Sequence, residues 1–428
     1  MRYIKISNEG KLETNALILL GASTKRNDKS KIGMFGSGNK YAIAYLLRNK
    51  YNLFIYSGLE EIKIRTVDEQ FRDNTFSIIH INDIKTSITT DLGIEWKLWQ
   101  AIRELYANAI DEGLPRISLT NDIEPKKNET HFYIEQTEAT KDFIRDFDKY
   151  FSDNKKILFE NEFGRIYEKT GSGGNIYRKG IRCMDWDKKS LYDYDLFNIE
   201  INEDRMAKYY WQVEESVWKL IFACDNKQVI RQILSESCND DYMESTISNL
   251  FEIESPKLSE QFKEELSLGE IVPFGLSGLL TTAEIQTCYV VPTKIFKSLR
   301  HHIDEKSINS KFKISSSNVA YRYINSSLYQ SALNKAVEFL KEVKFEIPFK
   351  IKTGVFDDKK IYGLADKENS AIVISDICME KGIDEIINTI IEEYIHLKYD
   401  VRDETREFQS AIITEFISYM KKQNAYLT

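Results

Sequence analysis

With 428 residues, 42% of them hydrophobic and 29% charged, the chain is longer than one ordinary core and two or three domains are expected. A net charge of −8 argues against a broad nucleic-acid surface, and no apolar run reaches the ~20 residues of a membrane helix, so no membrane partner is expected. Five scattered cysteines form no CxxC pair, and MRYIKISNEG reads as a strand and turn, not as a secretion signal; both features point to a cytoplasmic protein with reduced thiols.

In chain order, residues 2–7 alternate as a short strand and Asn8-Glu9-Gly10 reads as a turn. Residues 13–20 are a helix candidate, 21–31 (GASTKRNDKSK) a polar loop and 40–49 a buried helix. Strand-like runs follow at 51–57, 62–67 and 75–81. An amphipathic helix is expected from about Leu92 to Glu112, stopped by Gly113 and Pro115. After a polar loop at 121–130, HFYIEQ reads as a strand, and 161–183 as a hairpin of RIYEKT and NIYRKGIRC around a GSGG turn. The pattern is helical from 203 to 270 and polar and linker-like over 303–318. The remainder is mixed: a helix around 327–343, strands near 347–354 and 370–375, then helices. The class expected is α+β, divided into 1–202, a helical middle at 203–275, and an α+β part at 276–428.

Two stretches carry the chemistry. KIGMFGSGNK at 31–40 packs Gly33, Gly36 and Gly38 into six residues ahead of a helical run. Glycines let a backbone approach a ligand closely, and the helix that opens next aims free N–H groups at an anion. On the later helix, Glu104, Asn108 and Asp111 sit at i, i+4 and i+7 and share one face beside the apolar stripe Leu98, Ile102, Leu105, Ala109. A carboxylate can orient and deprotonate a water, and a carboxamide oxygen one turn away can ligate Mg²⁺ without adding negative charge near phosphates. Lys25 and Lys40 are candidates for phosphate contact.

The run Glu104-Leu-Tyr-Ala-Asn108-Ala-Ile-Asp111 resembles the N-box of the Bergerat-fold (GHKL) ATPases, and IGMFGSGNK resembles their second glycine box. The polar loop before it resembles their ATP lid, and ISNEGKL (6–12) their first glycine box with Asn8 in place of Asp. In that family the N-box precedes both glycine boxes; here it follows them, as in a circular permutation. The resemblance implies a sandwich with helices on one face of a mixed, mostly antiparallel sheet, binding ATP and Mg²⁺. Glu104 would be the catalytic base and Asn108 the Mg²⁺ ligand. The nucleotide would be held by Asn8, Gly10, Ser23, Thr24, Lys25, Gly33, Gly36, Ser37, Gly38, Asn39, Lys40 and Asp111. Glu135 is a second candidate for the base-reading acid, and Asn8 is preferred because the lid and second box follow it.

A second signal lies at 388–409. Glu392-Glu393-Tyr-Ile-His396 resembles the HExxH helix of compact zinc metallopeptidases, with Glu392 where the first histidine ligand stands. Glu392, His396 and one of Asp403 or Glu407 could hold a metal, though carboxylates weaken the preference for zinc. The favoured reading is a degenerate peptidase-like domain kept for structure or partner binding. Three functions compete: an ATP-driven switch that controls domain docking, a protein partner or a homodimer; a zinc metallopeptidase regulated by nucleotide; and a non-enzymatic phage or mobile-element adaptor that binds a host protein.

Overall fold

The computed structural model describes residues 2–19, 37–186, 188–245, 256–304, 310–315, 317–403 and 405–425. Helix and sheet are mixed in the chain, which divides into two compact units, Met1–Val213 and Glu214–Thr428. Among the described residues no helix is long and apolar enough to cross a membrane.

The first unit opens with β1 (Tyr3–Glu9), α1 (Thr14–Ile18) and α2 (Gly38–Arg48). Next come β2 (Leu53–Ser57), β3 (Glu60–Ile62), β4 (Ile64–Phe71), β5 (Asn74–Ile81) and β6 (Ile84–Thr89). Then follow α3 (Leu98–Glu112), β7 (Arg116–Thr120) and β8 (Glu129–Glu135). A five-stranded sheet runs in the order β3-β2-β8-β1-β7. All its pairings are antiparallel. The period-2 alternation puts Ile4 and Ile6 of β1 on one face, level with Ile134 and Phe132 of β8. That face joins the core made with Ala42, Ile43 and Leu46 of α2 and Ile102, Leu105 and Ala109 of α3. The other face is aromatic: Tyr133 lies edge-on to Tyr3 and Tyr56.

The run at 62–67 is not one strand. β3 closes the first sheet, and the chain crosses at Lys63 into a separate three-stranded sheet, β4-β5-β6, where Asn82 caps the Lys63 amide at 2.9 Å. The expected helix from Leu92 begins instead at Leu98, where the Gln100 side chain accepts the Lys97 N–H at 2.9 Å. Upstream, Gly93 at φ 68° turns the chain against Tyr41 and Trp96, where a Cβ has no room.

The unit continues with α4 (Glu138–Arg145), α5 (Phe147–Tyr150), β9 (Ile157–Glu160), β10 (Gly164–Tyr167), β11 (Gly174–Arg178), β12 (Ile181–Trp186) and β13 (Asp193–Leu196). These five strands form a second sheet, β12-β11-β13-β10-β9, in which β11 and β13 run parallel. The hairpin expected around GSGG is therefore corrected. β11 turns into β12 at Lys179–Gly180, and β13 lies between β10 and β11. The glycine-rich segment is a crossing loop moored to buried Asp193, which takes Lys155 at 2.8 Å, Lys169 at 2.7 Å and Asn175 at 3.0 Å.

The division between units falls within α6 (Tyr210–Phe222). The second unit adds α7 (Lys227–Glu236), α8 (Glu260–Leu268), β14 (Glu270–Pro273), α9 (Thr282–Ile285), β15 (Cys288–Val291), α10 (Thr293–Ser298) and α11 (Arg300–Asp304). Then come β16 (Lys313–Ile314), β17 (Ala320–Ile324), α12 (Ser327–Glu342), β18 (Lys350–Phe356), β19 (Gly363–Asp366) and β20 (Ala371–Ser375). α13 (Asp376–Lys381), α14 (Ile383–Tyr399) and α15 (Arg406–Ala425) complete it. Its main sheet is β16-β17-β18-β20-β19, with β19 at the edge. The segment read as a linker contains β16, anchored by fully buried Phe312. α14 lays Ile386, Ile390, Tyr394 and Ile395 into the core, against Ile372 and Ile374 of β20 and Leu333, Ala336 and Leu340 of α12.

Candidate functional site

α3 runs from the Gln100 cap to Gly113 (φ 112°), where Leu114 and Pro115 end it and β7 begins. β7 then pairs with β1, Ser7 opposite Arg116, and the Glu9 N–H donates to the Gly113 carbonyl at 3.2 Å. Asn8 and Glu9, expected as a turn, are strand residues of β1 paired with Thr130 and Glu129, and this connection brings them to the C-terminal end of the helix that carries Glu104, Asn108 and Asp111. Asn8 and Asp111 are both buried. Gly10 adopts φ 91°, donates to Asn128 and leaves open space on its Cα. Glu135 lies elsewhere: it pairs with Tyr3 at the far end of β1 and bonds Asn52 at 2.7 Å. Five residues of strand, ~17 Å, separate that register position from Asn8, so Glu135 leaves the candidate set.

The head of α2 meets α3. Ser37 is buried at the N-cap, and its carbonyl accepts the Lys40 N–H at 2.9 Å. A Cβ on Gly38 would overlap Oε2 of Glu104. The Asn108 amide donates to Asn39 Oδ1 at 2.6 Å, across 69 residues of sequence. The Lys40 side chain is buried, and burial lowers its pKa. Gly33, Gly36, Ser23, Thr24 and Lys25, with the whole lid-like loop at 21–31, lie outside the described residues.

Two arginines missing from the sequence reading hold Glu104. Oε1 takes Arg103 Nη2 at 3.0 Å, and Oε2 takes Arg205 Nε at 2.7 Å, with the carboxylate side chain 2% exposed. Arg103 is wholly buried; it donates to the Asp204 carbonyl at 2.6 Å and lies over the Trp99 ring. Burial lowers its pKa, opposed chiefly by Glu104. Both oxygens of Glu104 are thus fixed in direction. Arg103 and Arg205 thus bring two guanidinium groups to the one buried carboxylate of Glu104. Arg205 could not have been found by motif: it follows Glu104 by 101 residues and adopts φ 55° in an irregular segment.

In the second unit, α14 places Glu392 and His396 one turn apart. Asp400, left-handed at φ 52°, caps the helix and turns the chain back. Asp403 thereby meets His396, Oδ1 to Nε2 at 2.8 Å. Donor atoms of Glu392, His396 and Asp403 all lie within 4.8 Å of one another; Glu407 is exposed and outside this group. Glu393 points the other way, under the edge strand β19. It accepts the Ala365 N–H and sits 2.7 Å from where a Gly363 Cβ would stand. Burial, then Glu392 and Asp403, push its carboxyl up to about 8.

No family model matches the chain, and no curated protein matches it.

Proposed function

We propose that the first unit binds Mg·ATP and hydrolyses it, and that the nucleotide state governs domain docking or partner binding. The observation that supports this reading best is the meeting of Gly38 with Glu104, where Asn39 and Asn108 are hydrogen-bonded. A glycine-bordered helix head thus faces an acid–amide helix. The close packing of the Gly38 backbone on the Glu104 carboxylate, and the two arginines that hold that carboxylate, support reading this helix head as a polyphosphate site.

When bound, Mg·ATP supplies the phosphoanhydride and a cation that neutralises developing charge. Asn108 can turn its carboxamide oxygen to that cation once the bond to Asn39 is exchanged. Glu104 orients water, its own geometry set by Arg103 and Arg205. Asn8, at the end of β1, offers both a donor and an acceptor to a base edge.

The test is a pair of measurements on the full chain. Mg·ATP raises the melting temperature of wild type and of Glu104→Gln, and phosphate release is lost in Glu104→Gln alone. Absence of any melting shift with wild type overturns nucleotide binding; unchanged turnover in Glu104→Gln overturns the role of Glu104.

A further inference from the structure

We propose that Glu392, His396 and Asp403 form an open binding site for a divalent first-row transition metal, independent of the nucleotide site. The donors come from two places that the fold fixes separately: one face of α14, and the chain beyond the left-handed Asp400 cap. They converge to within 4.8 Å.

The orientation of His396 is the first argument. Its Nδ1 donates to the Val401 carbonyl at 2.8 Å, which fixes the ring and turns Nε2 toward the two carboxylates, 2.8 Å from Asp403 Oδ1. The ring is also clamped face to face on Phe408, with centroids 4.6 Å apart. A backbone acceptor behind a metal-ligating histidine sets its tautomer and direction. The imidazole side chain is 10% exposed and Asp403 72% exposed, so a fixed nitrogen lies under an accessible carboxylate.

Charge is the second argument. Two other acids nearby have lysine partners: Glu415 on α15 pairs with Lys398, and Asp400 with Lys367. Among the described residues no lysine or arginine pairs with Glu392 or Asp403. A divalent cation is the ligand that two adjacent carboxylates and an imidazole nitrogen, converging on one point, accept.

The donor set then selects the class of ion. One imidazole nitrogen favours Mn²⁺ through Zn²⁺ over Mg²⁺ and Ca²⁺, and two carboxylates make the site tolerant across that row instead of exclusive for zinc. Three protein donors leave coordination positions free, the arrangement of a site that meets an exogenous ligand.

The experiment uses the full chain, stripped with chelator and kept free of nucleotide. It is titrated with Mn²⁺ followed by electron paramagnetic resonance, and with Zn²⁺, Mg²⁺ and Ca²⁺ by calorimetry. One equivalent of Mn²⁺ and of Zn²⁺ binds, with Mg²⁺ and Ca²⁺ at least about tenfold weaker. Asp403→Asn, a change at an exposed position, weakens Mn²⁺ binding by about tenfold or more, and His396→Gln abolishes it. Asn108→Ala leaves Mn²⁺ binding unchanged, which separates this site from the one in the first unit. Less than half an equivalent of Mn²⁺, or wild-type affinity in Asp403→Asn, overturns the proposal. Equal affinity for Ca²⁺ overturns the assignment of the metal class.

Discussion

Glu104 and Arg205 meet at 2.7 Å across 101 residues of sequence, both almost sealed from solvent. The second contact on the same carboxylate, Arg103, comes from the neighbouring position on the helix. A carboxylate with both oxygens engaged cannot swing, so whatever chemistry it performs is done from one orientation. Its desolvation is offset only while both cations are present.

Arg205→Met is therefore expected to cost more than an exposed arginine would. It strips one partner from a buried charge, which typically costs about 3–5 kcal/mol. Urea denaturation of the variant should give a midpoint well below wild type. Lys208→Met, whose ammonium reaches Glu200 at the surface, should leave the midpoint within about 0.5 kcal/mol of wild type. Equal midpoints for the two variants would show that the Arg205 contact carries no stability.

Gly38→Ala tests the cradle. A Cβ at that position overlaps Oε2 of Glu104, and the carboxylate cannot step aside without releasing Arg205. Overpacking of this kind costs about 1–3 kcal/mol. The helix itself should persist, since alanine favours it. The melting gain from Mg·ATP should shrink or vanish while the circular dichroism spectrum stays that of wild type. A full Mg·ATP gain in this variant would separate Gly38 from the nucleotide.

Gly363→Ala tests the second unit. β19 is pressed onto α14 so closely that a Cβ would run into Thr389 and stand 2.7 Å from Glu393. Thr389 is buried and cannot yield. A melting temperature below that of wild type is expected, by about 1–3 kcal/mol in stability, with the Mg·ATP gain retained. Wild-type stability would mean that the edge strand moves away from the helix at little cost.

What the sequence revealed depended on how local the signal was. The helix carrying Glu104 was readable because Leu98, Ile102, Leu105 and Ala109 repeat at helical spacing and Gly113 and Pro115 stop it. β1 was readable from its alternation. Nothing local announced Arg205, and Arg103 looks like any solvated helix residue until the irregular segment after β13 brings the Asp204 carbonyl to it. The choice of Asp403 over Glu407 was equally hidden, because the left-handed turn at Asp400 decides it. The GSGG segment misled because a hairpin and a crossing loop share turn residues, and only the insertion of β13 tells them apart.

His131 gives the first unit a dependence on acid. It sits in β8 on the aromatic face of the sheet, stacked on Tyr133, with its side chain wholly buried. Nε2 accepts the Lys126 N–H at 3.2 Å, which ties down the loop between β7 and β8 and requires an unprotonated nitrogen there. Burial lowers its pKa from 6.5 to about 4, with Lys5 adding to the effect and Glu129 opposing it. Below pH 6.5 the unfolded chain takes up a proton that the folded chain refuses, so stability falls as the pH drops toward 4. Above 6.5 both states are neutral and this contribution is flat. Melting curves of wild type and His131→Gln, recorded between pH 7.5 and pH 4.5, should diverge at neutral pH and draw together in acid, because glutamine keeps an acceptor without a proton to gain. Parallel curves across that range would show that His131 titrates alike in both states, and that the bond to Lys126 does not hold it neutral.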